Sequence, residues 1–123
     1  MVVKAYIVED NALIRDNLVE TLEELVGIQT VGHAATEVMA CDWLNHHPGG
    51  WNLLVLDLFL AQGTGLGVLR KCMHRNGNQR VVILSNYATD EIRARCLASG
   101  ADAVFDKSTE LDLLFDYCAA TLH

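Results

Sequence analysis

No two of the four cysteines form a CxxC pair, no apolar stretch approaches the ~20 residues of a membrane span, and Lys and Arg together number 9 against 16 Asp and Glu. Each shortage removes a class of function. Cys41, Cys72, Cys96 and Cys118 fall inside apolar helical patterns and read as buried thiols, since a disulfide framework belongs to small, loop-rich secreted domains. The net charge of −7 argues against direct nucleic-acid binding, because affinity for a phosphate backbone comes from clustered Lys and Arg. The loose basic group Arg70, Lys71, Arg75 and Arg80 reads instead as a solvated face. With a single proline, the chain shows no repeat, low-complexity tract or interdomain linker, so one domain over residues 1–123 is expected. Met1-Val2-Val3-Lys4 runs straight into a core strand without a signal peptide, and the expected compartment is the cytoplasm, with no membrane contact.

What the chain does have is hydrophobic content of 51%, arranged as apolar runs of strand length alternating with segments of helical period. That alternation is the signature of βαβ units around a parallel sheet. Strands are expected at 2–8, 28–34, 53–57, 80–84 and 103–105. Most are continuous rather than alternating, as befits strands covered by helices on both faces. The first helix carries Ile14, Leu18, Leu22 and Leu25 on one stripe, with Asn11 or Asp10 as its cap. A second, over 36–46, is ended by His47-Pro48-Gly49-Gly50. A third carries Leu66, Leu69 and Met73 and stops near Asn76-Gly77-Asn78. A fourth runs from a Thr89 cap to Ser99-Gly100. In the fifth, Leu111, Phe115, Cys118 and Leu122 repeat after a capping box from Thr109 to Asp112.

Four of the strand runs end on charged or hydroxyl side chains: Glu9-Asp10, Asp57, Ser85, and Lys107 just beyond Phe105. Open α/β sheets bind ligands at the carboxyl ends of their strands, so parallel neighbours would gather these groups into one site. Three carboxylates, a hydroxyl and a lysine there suit a divalent cation and a phosphoryl group. Taken singly, most have simpler explanations. Glu9-Asp10-Asn11 could cap a helix, Ser85-Asn86 is an ordinary turn, Lys107 could form a surface ion pair, and Phe105 could be core. Asp57 is harder to explain away, because an ionised carboxylate after a buried run is costly without a partner.

As a set, and in this βα order, these residues resemble the receiver domain of two-component response regulators. The resemblance covers the whole chain, and Gly65 also falls where that family has a glycine. It implies a flavodoxin-like (βα)5 doubly wound fold with strand order 2-1-3-4-5. It further implies a domain that is not an enzyme in its own right, accepting phosphate on Asp57 from a sensor histidine kinase or histidine phosphotransfer protein. Mg2+ (or Mn2+) would be held by Asp10, Asp57, Glu9 and the backbone carbonyl of Phe59. Lys107 would offset phosphoryl charge, while Ser85 and Phe105 would form a switch read out on the face made by helix 4, strand 5 and helix 5. A downstream protein or a phosphorylation-dependent homodimer is the implied output. Two other readings remain open: a phosphorylation-independent interaction module of the same fold, or the receiver part of a longer DNA-binding regulator. An aspartate-nucleophile phosphatase is disfavoured, since Phe59 stands where such enzymes need a second aspartate.

Departures from the family pattern concern the surroundings of Asp57. Ala61 and Ser108 stand at positions where prolines are common. A non-proline cis peptide costs about 2.5 to 4 kcal/mol, so Lys107-Ser108 is expected to be trans with an altered loop. Phe59, Asn86 and Tyr87 flank the expected phosphoryl position, and neither aromatic carries an amide or carboxylate to orient a water. Slow autodephosphorylation follows as an expectation. His46, His47 and His74 read as surface residues, and Gly63-Thr64-Gly65-Leu66-Gly67 as a flexible turn, its spacing matching no phosphate-loop motif.

Overall fold

A computed structural model describes residues 2–122 and contains ten elements in strict alternation. They are β1 (Lys4–Val8), α1 (Ala12–Leu25), β2 (Gln29–Ala34), α2 (Glu37–His46), β3 (Leu53–Asp57), α3 (Gly65–Lys71), β4 (Arg80–Ser85), α4 (Asp90–Ala98), β5 (Ala103–Asp106) and α5 (Leu111–Leu122). The strands form one sheet in the order β2-β1-β3-β4-β5, parallel at every pairing. This is the flavodoxin-like (βα)5 arrangement expected from the sequence. Order reverses at β1 and β3, which pair Val8 with Leu56 and so set the ends of these two strands side by side.

Continuous apolar strands are explained by the two cores. Successive side chains of a strand point to opposite faces, so Leu54 and Leu56 join Val8, Val81 and Ile83 beneath α2, α3 and α4, with Ala40, Leu44, Val68, Leu69 and Cys96. Leu53 and Val55 join Ala5, Ile7, Val82 and Leu84 beneath α1 and α5, with Leu18, Leu22, Leu114 and Cys118. Each fully buried leucine contributes roughly 1.5–3 kcal/mol relative to an exposed one, which keeps the strand ends fixed while loops change.

Several sequence expectations are corrected. Leu25 ends α1 exposed rather than on the buried stripe, while of the two expected caps Asn11 serves, its Oδ1 accepting from Ile14 N at 3.1 Å. Helix α3 stops at Lys71, short of Met73, which is exposed. Beyond the helix end the Arg75 guanidinium donates to the Cys72 and Gln79 carbonyls. The capping box from Thr109 to Asp112 is replaced by Asp106, whose Oδ1 accepts from Ser108 N and Thr109 N. Cys72, Cys96 and Cys118 are buried, but Cys41 is only partly so. Burial raises the pKa of all four thiols, pushing Cys118 up to about 12 and Cys72 to about 11.

The glycine segment 63–67 is no flexible turn. Thr64 caps α3 through its hydroxyl, and the Glu37 carboxylate reaches over from α2 to accept from Thr64 N at 2.9 Å. A Cβ at Gly67 would lie within 2.4 Å of either Glu37 carboxylate oxygen, and one at Gly65 would lie 2.5 Å from the Asp57 carbonyl oxygen. Gly63 adds a φ of +82°, a backbone conformation L side chains rarely adopt. These glycines therefore allow close packing behind Asp57. At the outer edge of the sheet, β2 carries a register shift opposite Ala5 and Tyr6, and Thr30 N donates to Glu23 Oε2 at 3.1 Å.

Candidate phosphoryl and cation site

Asp57 ends β3 with only 5% of its surface exposed, although its side chain is a carboxylate. Two local contacts hold it: Phe59 N donates to Oδ1 at 3.3 Å, and Lys107 Nζ donates to Oδ2 at 2.8 Å. Glu9, at the end of β1, is still more buried at 1%. Its Oε2 accepts from Asn11 N at 3.1 Å, and its own N–H extends the sheet ladder to Ala34 O at 3.0 Å. Its other oxygen, Oε1, lies 2.6 Å from Lys107 Nζ, an ion-pair distance, but is poorly aligned for a hydrogen bond and has no hydrogen-bond partner. Asp10 is exposed and completes the cluster, with one carboxylate oxygen from each of Glu9, Asp10 and Asp57 lying within 4.8 Å of the others.

Lys107 arrives from the far side. Its N–H donates to Ser85 O at 3.0 Å, so the loop after β5 is tied to the end of β4, and the side chain is 7% exposed. Burial alone would lower its pKa, but the Asp57 and Glu9 carboxylates outweigh that and hold the ammonium above its ordinary value. Three carboxylates against one ammonium leave two negative charges in a partly buried cleft. A hard divalent cation with oxygen ligands meets that imbalance, and one oxygen from each of the three carboxylates already lies within 4.8 Å of the others. The residues present fit such an ion.

The cleft over this cluster is lined by Asp10, Asn11, Ile14, Asp57, Phe59, Asn86, Tyr87 and Lys107, with a volume of about 240 Å³. Phe59 and Tyr87 are exposed and meet edge to face across it, with ring centroids 6.3 Å apart. Ser85 is buried next to the cleft rather than lining it, and its Oγ accepts from Tyr87 N at 3.0 Å. Phe105 does not reach the cleft; it is half-buried and packs against Tyr117 of α5, centroids 5.8 Å apart. No peptide among the described residues is cis, so Lys107-Ser108 is trans as expected. The loop is altered in a specific way: Ser108 N donates to Asp106 Oδ1 at 2.8 Å, a bond proline could not make, and Ser108 Oγ donates to Asn86 Oδ1 at 3.2 Å. His46, His47 and His74 are exposed and far from this chemistry in the sequence of elements.

The sequence pattern of the response regulator receiver domain matches residues 5–119. The chain belongs to that family. Among its relatives, this receiver domain is 31% identical over 106 residues to the protein-glutamate methylesterase/protein-glutamine glutaminase 2 of Shewanella sp. (strain MR-4), spanning 86% of this chain and 27% of that protein. It is 29% identical over 100 residues to the DNA-binding transcriptional activator DevR/DosR of Mycobacterium tuberculosis, spanning 80% of this chain and 45% of that protein. The receiver domain thus spans 27% to 47% of the length of such curated relatives. Among solved structures, a Francisella response regulator receiver domain superposes with a TM-score of 0.78 at 26% identity, covering 92% of this chain and 90% of that one. A LuxR-family response regulator from Staphylococcus aureus shares the fold alone, with a TM-score of 0.85 at 17% identity over 99% of this chain and 100% of that one. Receiver domains are phosphoacceptors that bind Mg2+ at acidic residues, and the cluster of Glu9, Asp10 and Asp57 fits such a site. Among the described residues no helix is long and apolar enough to cross a membrane.

Three residues of this receiver domain escaped the sequence reading. Asp106, Glu110 and Arg93 form a hydrogen-bonded group around the Lys107 loop. The available signal was slight: an aspartate immediately before Lys107 and a glutamate three residues after it.

Proposed function

We propose that Asp57 is the phospho-acceptor, taking its phosphoryl group from a phosphohistidine of a sensor histidine kinase or histidine phosphotransfer protein in the cytoplasm. The observation that carries this reading is the meeting of Asp57, Glu9, Asp10 and Lys107 at the carboxyl end of β1, β3 and β5. An Asp57 carboxylate oxygen attacks phosphorus in line. The bond from phosphorus to the imidazole nitrogen breaks, its electron pair leaves with the imidazole, and the Lys107 ammonium keeps its proton while facing the phosphoryl oxygens. Glu9, Asp10, Asp57 and the Phe59 carbonyl would hold Mg2+, whose chemistry is to offset the negative charge of donor and acceptor together.

After transfer, the new phosphoryl oxygens accept a hydrogen bond from the Ser85 hydroxyl, drawing it toward them. In the unphosphorylated domain the hydroxyl oxygen is held by Tyr87 N, so engaging phosphate shifts the β4–α4 loop. Phe105 then has room to move inward, altering the face formed by α4, β5 and α5, which signals to a downstream protein or a second copy. The test is exposure to a small acyl-phosphate donor with Mg2+. An acid-stable, base-labile phosphate that disappears in Asp57→Asn is expected; no modification with any donor favours a phosphorylation-independent interaction module instead.

A further inference from the structure

Helix α4 and the loop bearing Lys107 are joined by one guanidinium. Arg93 Nε donates to Ala88 O at 2.9 Å, Nη1 donates to Val104 O at 2.9 Å, and Nη2 bonds to Glu110 Oε1. That same Glu110 oxygen accepts from Asp106 N at 2.8 Å. Asp106 in turn accepts from Ser108 N and Thr109 N through Oδ1, and its carbonyl accepts from Glu110 N at 2.9 Å. Lys107 is therefore enclosed: the residue before it is pinned by Glu110, the two after it by Asp106, and its own N–H by Ser85 O. With no proline in the loop to stiffen it, these bonds supply the rigidity that aims a four-carbon side chain at Asp57.

We propose that Glu110, itself fixed by Arg93, is a positioning residue that sets the reach of Lys107 toward the phosphoryl group. The proposal rests on the reading of Asp57 and Lys107 above and adds a residue that touches neither phosphate nor metal. Two features favour it over a merely structural role. One carboxylate oxygen serves both the guanidinium and the Asp106 N–H, so the charge of Arg93 fixes the oxygen that fixes the loop. Glu110 also directly precedes α5, which begins at Leu111, so its bond to Asp106 N ties the start of that helix to the end of β5, immediately before Lys107.

Glu110 acts through Lys107 on this account, so its effect must vanish when the ammonium is gone. Phosphorylation rates with phosphoramidate and Mg2+ are measured for wild type, Glu110→Ala, Lys107→Met and the double variant, with donor concentration varied to separate the maximal rate from half-saturation. Glu110→Ala is expected to lower the maximal rate on the order of tenfold with half-saturation little changed, less than the roughly hundredfold that a misplacement of about 1 Å can cost, because the Ser85 and Asp106 bonds still hold the loop. In the Lys107→Met background the same substitution is expected to change the rate by less than about twofold. Glu110→Gln, which keeps an oxygen for Asp106 N, is expected to recover most of the rate and guards against a variant that fails to fold. Equal slowing by Glu110→Ala in both backgrounds overturns the proposal, as does a fall in melting temperature with unaltered rate. A wild-type chain that takes no phosphate at all defeats the reading of the site, and with it this proposal.

Discussion

Removing the Lys107 ammonium should expose the electrostatic debt of the site. Nζ lies 2.6 Å from Glu9 Oε1 and 2.8 Å from Asp57 Oδ2, and the side chains of all three residues are at most 7% exposed. With an effective dielectric of about 20, each of these attractions is worth about 6 kcal/mol before desolvation, and the two carboxylates, within 4.8 Å of each other, repel by about 3.5 kcal/mol. Part of the lost attraction is returned, because a buried ammonium no longer needs to be desolvated. Breaking buried pairs in this way destabilises proteins by about 3–5 kcal/mol, and that is the loss expected for Lys107→Met in EDTA at pH 7.5. Mg2+ at about a hundred times its Kd stabilises a fold that alone binds it by about 2.7 kcal/mol. The variant has lost a competing cation, so it should gain more than the wild type and the gap should narrow. Urea unfolding followed by circular dichroism, with and without Mg2+, measures both quantities. A deficit below about 1 kcal/mol in EDTA, or one untouched by Mg2+, would refute the account of Lys107 as the internal counter-ion.

The pH dependence of the same residue has a definite sign. The folded domain holds the Lys107 proton above the ordinary value of 10.5, so the ammonium stabilises fully below 10.5 and is lost as pH climbs through the raised folded value. The gap between wild type and Lys107→Met in urea melts should therefore close above pH 10.5. Phe59→Asn places an amide at the mouth of the cleft, where Phe59 now sits 54% exposed, and should speed phosphoryl loss several-fold by orienting a water; an unchanged decay of labelled Asp57 phosphate rejects that role for Phe59. Gly65→Ala drives a Cβ to 2.5 Å from the Asp57 carbonyl oxygen and should destabilise by about 1–3 kcal/mol while slowing phosphorylation, read by thermal melts alongside labelling. Wild-type melting there would mean the α3 start can shift freely.

The strands were legible because burial on both faces demands unbroken apolar runs, and the chemical residues because each follows such a run. What stayed hidden depends on contacts between distant segments. Nothing within 63–67 announces that the Glu37 carboxylate fills the space above Gly67, so close packing looked like freedom. Met73 continues the helical period of α3, yet the helix ends at Lys71 and Arg75 donates to the Cys72 carbonyl beyond it. Leu25 satisfies the α1 stripe in spacing but is the last residue of the helix and is left exposed. Asp57, Ser85 and Lys107 stood out without reference to Arg93 and Glu110, because a polar residue after an apolar run leaves a mark in local sequence, whereas the bonded group around the Lys107 loop is assembled from α4 and the loop before α5.

The treatment of β2 bears on how copies of this chain can meet. Parallel order leaves β2 and β5 as the outer strands. β5 is four residues long, while β2 is kinked by its register shift and has the Thr30 N–H occupied by the Glu23 carboxylate. Neither margin offers a long flat row of free amides, which is the template for strand-to-strand aggregation. At high concentration, self-association should proceed through helical faces rather than by pairing of strand edges.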